Sequence, residues 1–276
     1  MELGVMIHIY EETDIPAAFY YAKEAGFRRG QVTSYIHGIT AGEVRQVAVA
    51  ARNADFHVDA VGCYVNPLRP DDAGLHGVDG LDWKTLAENM GMINGVERLV
   101  CWSGTLGKTL TAPNLLNAEE ETFNSLFIAL SGLRETIRGL PVQILLEPFS
   151  AHVLSDPASC VRMARRFPGG EVQAVLDAPN LIPAQAYAGR NARLPGLVSE
   201  LAPAVSLVHL KDIALGDDGQ RRFVRPGLGG LDFGLYLRAI ARSLPEVPVI
   251  IEQVTTIDEM RAAREYVQGV LKEYGI

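Results

Sequence analysis

Val205–Ser206–Leu207–Val208–His209–Leu210–Lys211–Asp212 reads as a short apolar strand that ends abruptly in a histidine, a lysine and an aspartate. Three further runs have the same form. Val142–Gln143–Ile144–Leu145–Leu146 ends in Glu147, Val172–Gln173–Ala174–Val175–Leu176 ends in Asp177, and Val247–Pro248–Val249–Ile250–Ile251 ends in Glu252. Each run closes on one side chain able to ligate a metal. In a parallel barrel such strand ends converge on one mouth, where catalytic groups sit. Strand side chains alternate in direction, so the residues two before each ligand share its face. Those residues are Leu145, Val175, Leu207 and Ile250, large and apolar as a packed barrel interior requires. Gln143 and Gln173, four before two of the ligands, fall at the polar bottom of such a barrel.

Outward from these runs the chain repeats strand, helix, strand without a break. Strands are expected over 3–9, 30–35, 57–65 and 96–103, ahead of the four already quoted. Helices are expected over 15–26, 41–54, 81–94, 119–138, 157–167, 233–243 and 257–274, with a broken helical segment over 183–201. Asp14, Thr40 and Asp232 are placed to cap helices, and Gly26 to stop one. The stretch 66–79 is an irregular polar loop of the kind that often forms a lid or binding loop. Eight strands alternating with about eight helices mean parallel strands with helical crossovers. That fits an α/β fold in the form of a single (β/α)8 TIM-barrel domain over residues 1–276. An open doubly wound sheet would want a glycine-rich phosphate loop after the first strand, and Ile9–Tyr10–Glu11–Glu12 is nothing like one.

The 276 residues are 48% hydrophobic, enough for a sizeable core. The formal net charge of -8 argues against nucleic acid as a partner. Of the three cysteines, Cys63 and Cys101 sit in apolar strand-like runs and read as buried thiols, and none has metal-binding spacing. The N-terminus has no basic region followed by a long apolar stretch, so no signal peptide or membrane span is expected and the cytoplasm is the default.

Glu147, Asp177, His209 and Glu252 are expected to hold one divalent metal ion. Three carboxylates and one imidazole suit Mn²⁺, Mg²⁺, Co²⁺ or Zn²⁺ and leave room for two substrate oxygens. A closed structural zinc site would prefer cysteine and histidine. Any one of these carboxylates alone is explained as well by a helix cap or a lysine partner. Four at matching strand ends form the pattern of a site.

The set Leu146–Glu147–Pro148, Leu176–Asp177, His209–Leu210–Lys211–Asp212, Pro226–Gly227–Leu228–Gly229–Gly230–Leu231–Asp232–Phe233 and Ile251–Glu252 resembles the sugar-phosphate isomerase/epimerase superfamily, the xylose-isomerase-like barrels. Ketose 3-epimerases, inosose isomerases and dehydratases, hydroxypyruvate isomerases and endonuclease IV belong to it. The resemblance covers most of the C-terminal half; the N-terminal half matches only in its strand–helix rhythm. It implies that Glu147 and Glu252 both bind metal and exchange protons with substrate, while Asp177 and His209 only hold the metal. Two departures stand out. Asn180 occupies the place of a substrate-binding histidine three residues after the second acidic ligand, and Val153 that of a glutamate typical of ketose 3-epimerases.

Lys211 lies two residues after His209 and on strand parity points into the mouth. It either neutralises an anionic substrate or enediolate, or pairs with Asp212 or Glu252. Among Arg221, Arg222 and Arg225, Arg222 is the choice for reaching substrate. Gly227, Gly229 and Gly230 either cradle a phosphate or, better supported, form a tight turn into the Asp232 cap. His8, Tyr35, His37, Asn66, His76 and Trp102 fall near the mouth ends of the first four strands, and His152 follows Glu147 in a loop. Of these, Trp102 is taken as a substrate contact, together with Lys211, Asn180 and Arg222.

The expected function is a metal-dependent isomerase or epimerase of a small polyhydroxylated carbonyl compound: a sugar, a sugar phosphate or an inosose. A proton beside a carbonyl leaves more easily when a metal stabilises the developing enediolate oxygen, and two carboxylates can remove and return it. The nearest alternative is a dehydratase using the same metal and base. A phosphodiesterase on damaged DNA would need a trinuclear site with more histidines than the six present. A non-catalytic sugar-binding barrel is the alternative outside enzymes, and a homo-oligomer is allowed.

Overall fold

The quoted runs form strands because each alternates a barrel-facing apolar residue with one that faces the surrounding helices. The structure, a computed structural model, describes residues 1–10, 12–34, 40–69, 83–93 and 95–276. Its strands are β1 (Leu3–Ile9), β2 (Arg29–Ser34), β3 (His57–Cys63), β4 (Arg98–Trp102), β5 (Gln143–Glu147), β6 (Val172–Leu176), β7 (Val205–Leu210), β8 (Asp212–Leu215), β9 (Arg221–Val224) and β10 (Val249–Ile251). Eight of them close a parallel barrel in the order β1–β10–β7–β6–β5–β4–β3–β2. Around it run α1 (Ile15–Glu24), α2 (Ala41–Ala54), α3 (Trp83–Met90), α4 (Glu120–Thr136), α5 (Pro157–Arg165), α6 (Arg190–Leu201), α7 (Phe233–Ser243) and α8 (Ile257–Tyr274).

The core has two layers. Met6, Ala60, Val100, Leu145, Val175, Leu207 and Ile250 pack together inside the barrel, with Tyr64 and Trp102 above them toward the mouth. The inward-facing quartet read from the sequence is therefore in place. The opposite faces of the strands pack against the helices through Val5, Phe19, Val44, Leu126 and many others. The helix caps also form as expected. Asp14 accepts from Ala17 N and Asp232 from Leu235 N, while Thr40 forms a reciprocal capping box with Glu43. Gly26 turns the chain out of α1 at φ 91°.

Two expectations need adjustment, and a third lies largely outside the described residues. The stretch after β7, read as a glycine-rich loop, begins as an antiparallel hairpin in which Asp212 pairs with Val224 and Leu215 with Arg221. Its alternation is only four residues long per strand and is interrupted by charged residues, too short to register as a strand pattern. The third helix is shorter than the 81–94 expected. Of the loop 66–79, only 66–69 are described; Tyr35, His37 and His76 lie outside the described residues. Among the described residues no helix is long and apolar enough to cross a membrane.

β1 and β2 approach so closely at Gly30 that an added Cβ would sit 2.0 Å from the Val5 carbonyl oxygen. Gly132, exposed in α4, has nothing within 4 Å of the same position. The two alanine substitutions should therefore differ in sign. Gly30→Ala should destabilise by about 2–4 kcal/mol, and Gly132→Ala should stabilise by about 0.5–1 kcal/mol, in urea unfolding.

Candidate metal centre

β5, β6, β7 and β10 are neighbours around the barrel, so their C-terminal ends stand side by side. Glu147 is the last residue of β5; Asp177 and Glu252 directly follow β6 and β10; His209 is the penultimate residue of β7. Each points inward one step above the apolar layer. All four are buried, and one donor atom from each can be chosen so that all lie within 4.8 Å of one another. The four side chains selected from the sequence are thus brought together. Three carboxylate oxygens and an imidazole nitrogen at that spacing fit a divalent cation that prefers hard donors.

Lys211 enters the same cluster. Its Nζ lies 2.9 Å from Glu252 Oε2 and 3.9 Å from Glu147 Oε1, and it bonds directly to Asp177. Of the two partners weighed for it, Glu252 is real. Asp212 instead accepts the backbone N–H groups of Ile213, Gly229 and Leu231 and so shapes the turn after the hairpin. That turn is the bland role weighed for the glycines; a Cβ on Gly229 would lie 2.3 Å from Asp212 Oδ1.

The ionisation of the cluster follows from burial set against neighbouring charge. Burial alone would raise Glu252, yet the charges of Lys211 and His209 hold it well below the usual carboxylate range. Burial likewise opposes ionisation of Glu147, and His209 and Lys211 outweigh it. Burial pushes Asp177 up to about 7, more than Lys211 offsets. Burial would lower His209, but Glu252 and Glu147 raise it to about 10. Lys211 stays charged for the same reason, held up by Asp177 first and then by the two glutamates.

A hydrogen-bond chain across the barrel decides which imidazole nitrogen faces the carboxylates. His209 Nδ1 lies 2.7 Å from Glu252 Oε1 and 3.1 Å from Glu147 Oε2. Its Nε2 lies 3.0 Å from Gln31 Oε1. Gln31 Nε2 donates to Thr33 Oγ1 at 2.9 Å and Tyr64 Oη at 3.2 Å, and Tyr64 donates to Glu147 Oε2 at 2.8 Å. A carboxylate only accepts, so the Tyr64 proton goes to Glu147 and the Tyr64 oxygen must accept from the Gln31 amide. The Gln31 carbonyl then faces His209 and requires a proton on Nε2. Nδ1 is the nitrogen turned to the carboxylates, the one that could ligate an ion, and the ring is fixed by a residue outside the donor set. Gly62 makes room for this chain, since a Cβ there would lie 2.6 Å from Thr33 Oγ1.

Gln31 and Tyr64 were not found from the sequence. Their signal was a polar pair, Gln31 and Thr33, on one face of a strand where the other strands carry apolar residues. Asn180, expected at the substrate, donates to Glu147 Oε1 at 2.8 Å and so orients that carboxylate. Trp102 is buried at the mouth against Tyr64 and His152, with ring centroids 4.8 and 5.5 Å away. Arg222 does not reach the cluster; it is exposed on the hairpin and pairs with Asp218. Strand alternation puts its neighbours on the mouth side. Arg221 stacks over Phe149 and Phe223 and donates to Pro179 O, and Phe223 lies 4.7 Å from Lys211 Nζ. His152 and Asn66 serve structure: His152 joins Ser103 Oγ to Leu110 O, and Asn66 joins its loop to Thr105. Cys63, Cys101 and Cys160 are buried free thiols.

Neither a protein-family model nor a curated protein matches the sequence. Solved structures match over nearly the whole length. D-psicose 3-epimerase superposes with a TM-score of 0.71 at 12% identity, covering 100% of both chains. A 3-keto-D-glucoside 4-epimerase from E. coli gives 0.65 at 18% identity, covering 98% of this chain and 99% of that one. A xylose isomerase-like TIM-barrel protein from Mycobacterium smegmatis, in complex with magnesium, gives 0.64 at 11% identity, covering 95% and 90%. The chain has the xylose-isomerase-like TIM-barrel fold.

An ion that takes His209 Nδ1 must displace a proton that the nitrogen holds up to a pH of about 10. Calorimetric titration with Mn²⁺ at pH 7, in buffers of different ionisation enthalpy, should therefore show about one or more protons released per ion. His209→Ala should abolish tight binding. Gln31→Leu should weaken Mn²⁺ binding by about 10–100-fold while the protein stays folded by circular dichroism.

Proposed function

We propose that the protein is a divalent-metal-dependent isomerase or epimerase of a small polyhydroxylated carbonyl compound. The observation that carries this reading is the pair of buried glutamates, Glu147 and Glu252, converging from β5 and β10 on His209. Superposable structures whose names are sugar epimerases support it.

When bound, the metal would polarise the substrate carbonyl and acidify the neighbouring carbon. Glu147, Asp177, His209 and Glu252 would hold it. One of the two glutamates removes the proton next to the carbonyl, and the other returns a proton to the adjacent position or to the opposite face. Both oxygens of each are already oriented. Tyr64 and Asn180 fix Glu147, while His209 and Lys211 fix Glu252. Lys211 carries the positive charge that a developing oxyanion needs, in a site that Phe223, Phe149 and Trp102 help keep dry. The same placement of Lys211 beside Glu252 favours a second reading, a dehydratase in which the ammonium protonates a departing hydroxyl.

Incubation with ketoses and inososes in D₂O tests the first reading. Deuterium should enter the carbon next to the carbonyl with no loss of mass beyond the exchange; loss of 18 mass units would mark the dehydratase. Glu252→Gln should lower turnover by about 10²-fold or more with much of the substrate affinity retained. Lys211→Met should also lower turnover, yet bind Mn²⁺ about tenfold more tightly, because it removes a cation that shares the same oxygens. Absence of exchange on every substrate, with tight binding of one, would make the protein a sugar-binding barrel.

A further inference from the structure

We propose that a cavity beside the β1 end of the barrel is a second subsite, which takes a neutral glycosyl ring attached to the unit that reacts at the metal centre. The proposal rests on the function proposed above and specifies the substrate further. The cavity has a volume of about 360 Å³, and β1 borders it with Met6, Ile7 and His8. Met6 belongs to the apolar layer inside the barrel. His8, two residues on, shares that face and stands toward the mouth end of β1. Its opposite walls come from the first turns of α1 and from Val254 and Thr255 after β10. The chain reaches that position through Gln253, whose φ of 59° turns it sharply just past Glu252. Val254 and Thr255 follow Glu252 by two and three residues and β1 pairs with β10, which puts the cavity on the Glu252 side of the barrel mouth.

The lining selects the ligand. Among the described residues no lysine or arginine borders the cavity. Its one carboxylate, Asp14, caps α1 by accepting from Ala17 N, so the helix N-terminus already has an anion of its own. Among the described residues, a phosphoryl group there would meet the Asp14 carboxylate and no lysine or arginine. The floor is apolar, and Ala17 and Ala18 leave space where α1 faces it. Tyr10 and Tyr21 border it, 44% and 48% exposed, and the Tyr10 ring stacks beside His8 with planes at 18° and centroids 6.1 Å apart. An apolar floor with phenol hydroxyls at its rim matches a sugar ring, which has C–H faces and a hydroxyl edge. The volume is at the small end of ligand pockets, as one ring requires.

The test is a titration of the Mg²⁺-loaded, ¹⁵N-labelled protein with D-fructose, the ketose disaccharides lactulose and isomaltulose, and D-fructose 6-phosphate. At least one disaccharide should bind about tenfold more tightly than D-fructose. It should shift the amides of Ala17, Ala18 and Tyr21 as well as those around Glu252. D-Fructose should shift only the second group, and the phosphate should gain nothing. Ala17→Trp, which fills the cavity, should bring the disaccharides back to the affinity of D-fructose. Tyr21→Ala, at an exposed position, should weaken them without filling anything. The proposal is overturned if neither disaccharide shifts the α1 amides, whether or not other probes bind. Disaccharide binding at α1 without deuterium exchange would leave the subsite standing and remove the isomerase reading. Exchange on D-fructose without any α1 shift would do the reverse.

Discussion

Three carboxylates cannot share a dry barrel mouth without positive charge among them. Burial of an unpaired carboxylate costs several kcal/mol, and three together repel one another besides. Lys211 and protonated His209 answer this from within the chain, each touching at least two of the three acids. A divalent ion would answer it more strongly and through the same atoms. The acids therefore stay ionised beside one another only because cationic partners are placed among them.

Orientation is the second requirement. Glu147 is fixed by two neutral donors, Tyr64 and Asn180, and His209 by Gln31. Gln31 of β2 and Tyr64, just past β3, reach His209 of β7 and Glu147 of β5 from other strands, while Asn180 holds Glu147 from the turn after the adjacent β6. The substitution of asparagine for the histidine common among resembling barrels has a physical reading here. The Asn180 amide supplies a neutral donor to Glu147 at 2.8 Å.

The hairpin β8–β9 encloses the centre. Asp212 turns the chain by collecting three backbone N–H groups, and the alternation of β9 then sends Arg221 and Phe223 to the mouth and Arg222 to solvent. The guanidinium of Arg221 stacks between Phe149 and Phe223 and donates to backbone carbonyls. It serves as part of the roof and leaves the acids to Lys211.

The sequence alone determined the barrel, its inward-facing quartet and the four residues of the candidate metal centre. All of these depend on period-two alternation and on position along a strand, which are local properties. It placed Lys211 in the mouth by the same parity. What it could not determine was which residues meet across the barrel. Gln31 lies 178 positions from His209 and Tyr64 lies 83 from Glu147, so no spacing or motif links them. The choice between Arg221 and Arg222 depended on the register of a hairpin too short to leave a pattern. That Asn180 reaches Glu147 depended on where a 3₁₀ turn after β6 aims one amide. Those outcomes were decided by closure of the sheet, because only closure brings strands distant in sequence within hydrogen-bond reach.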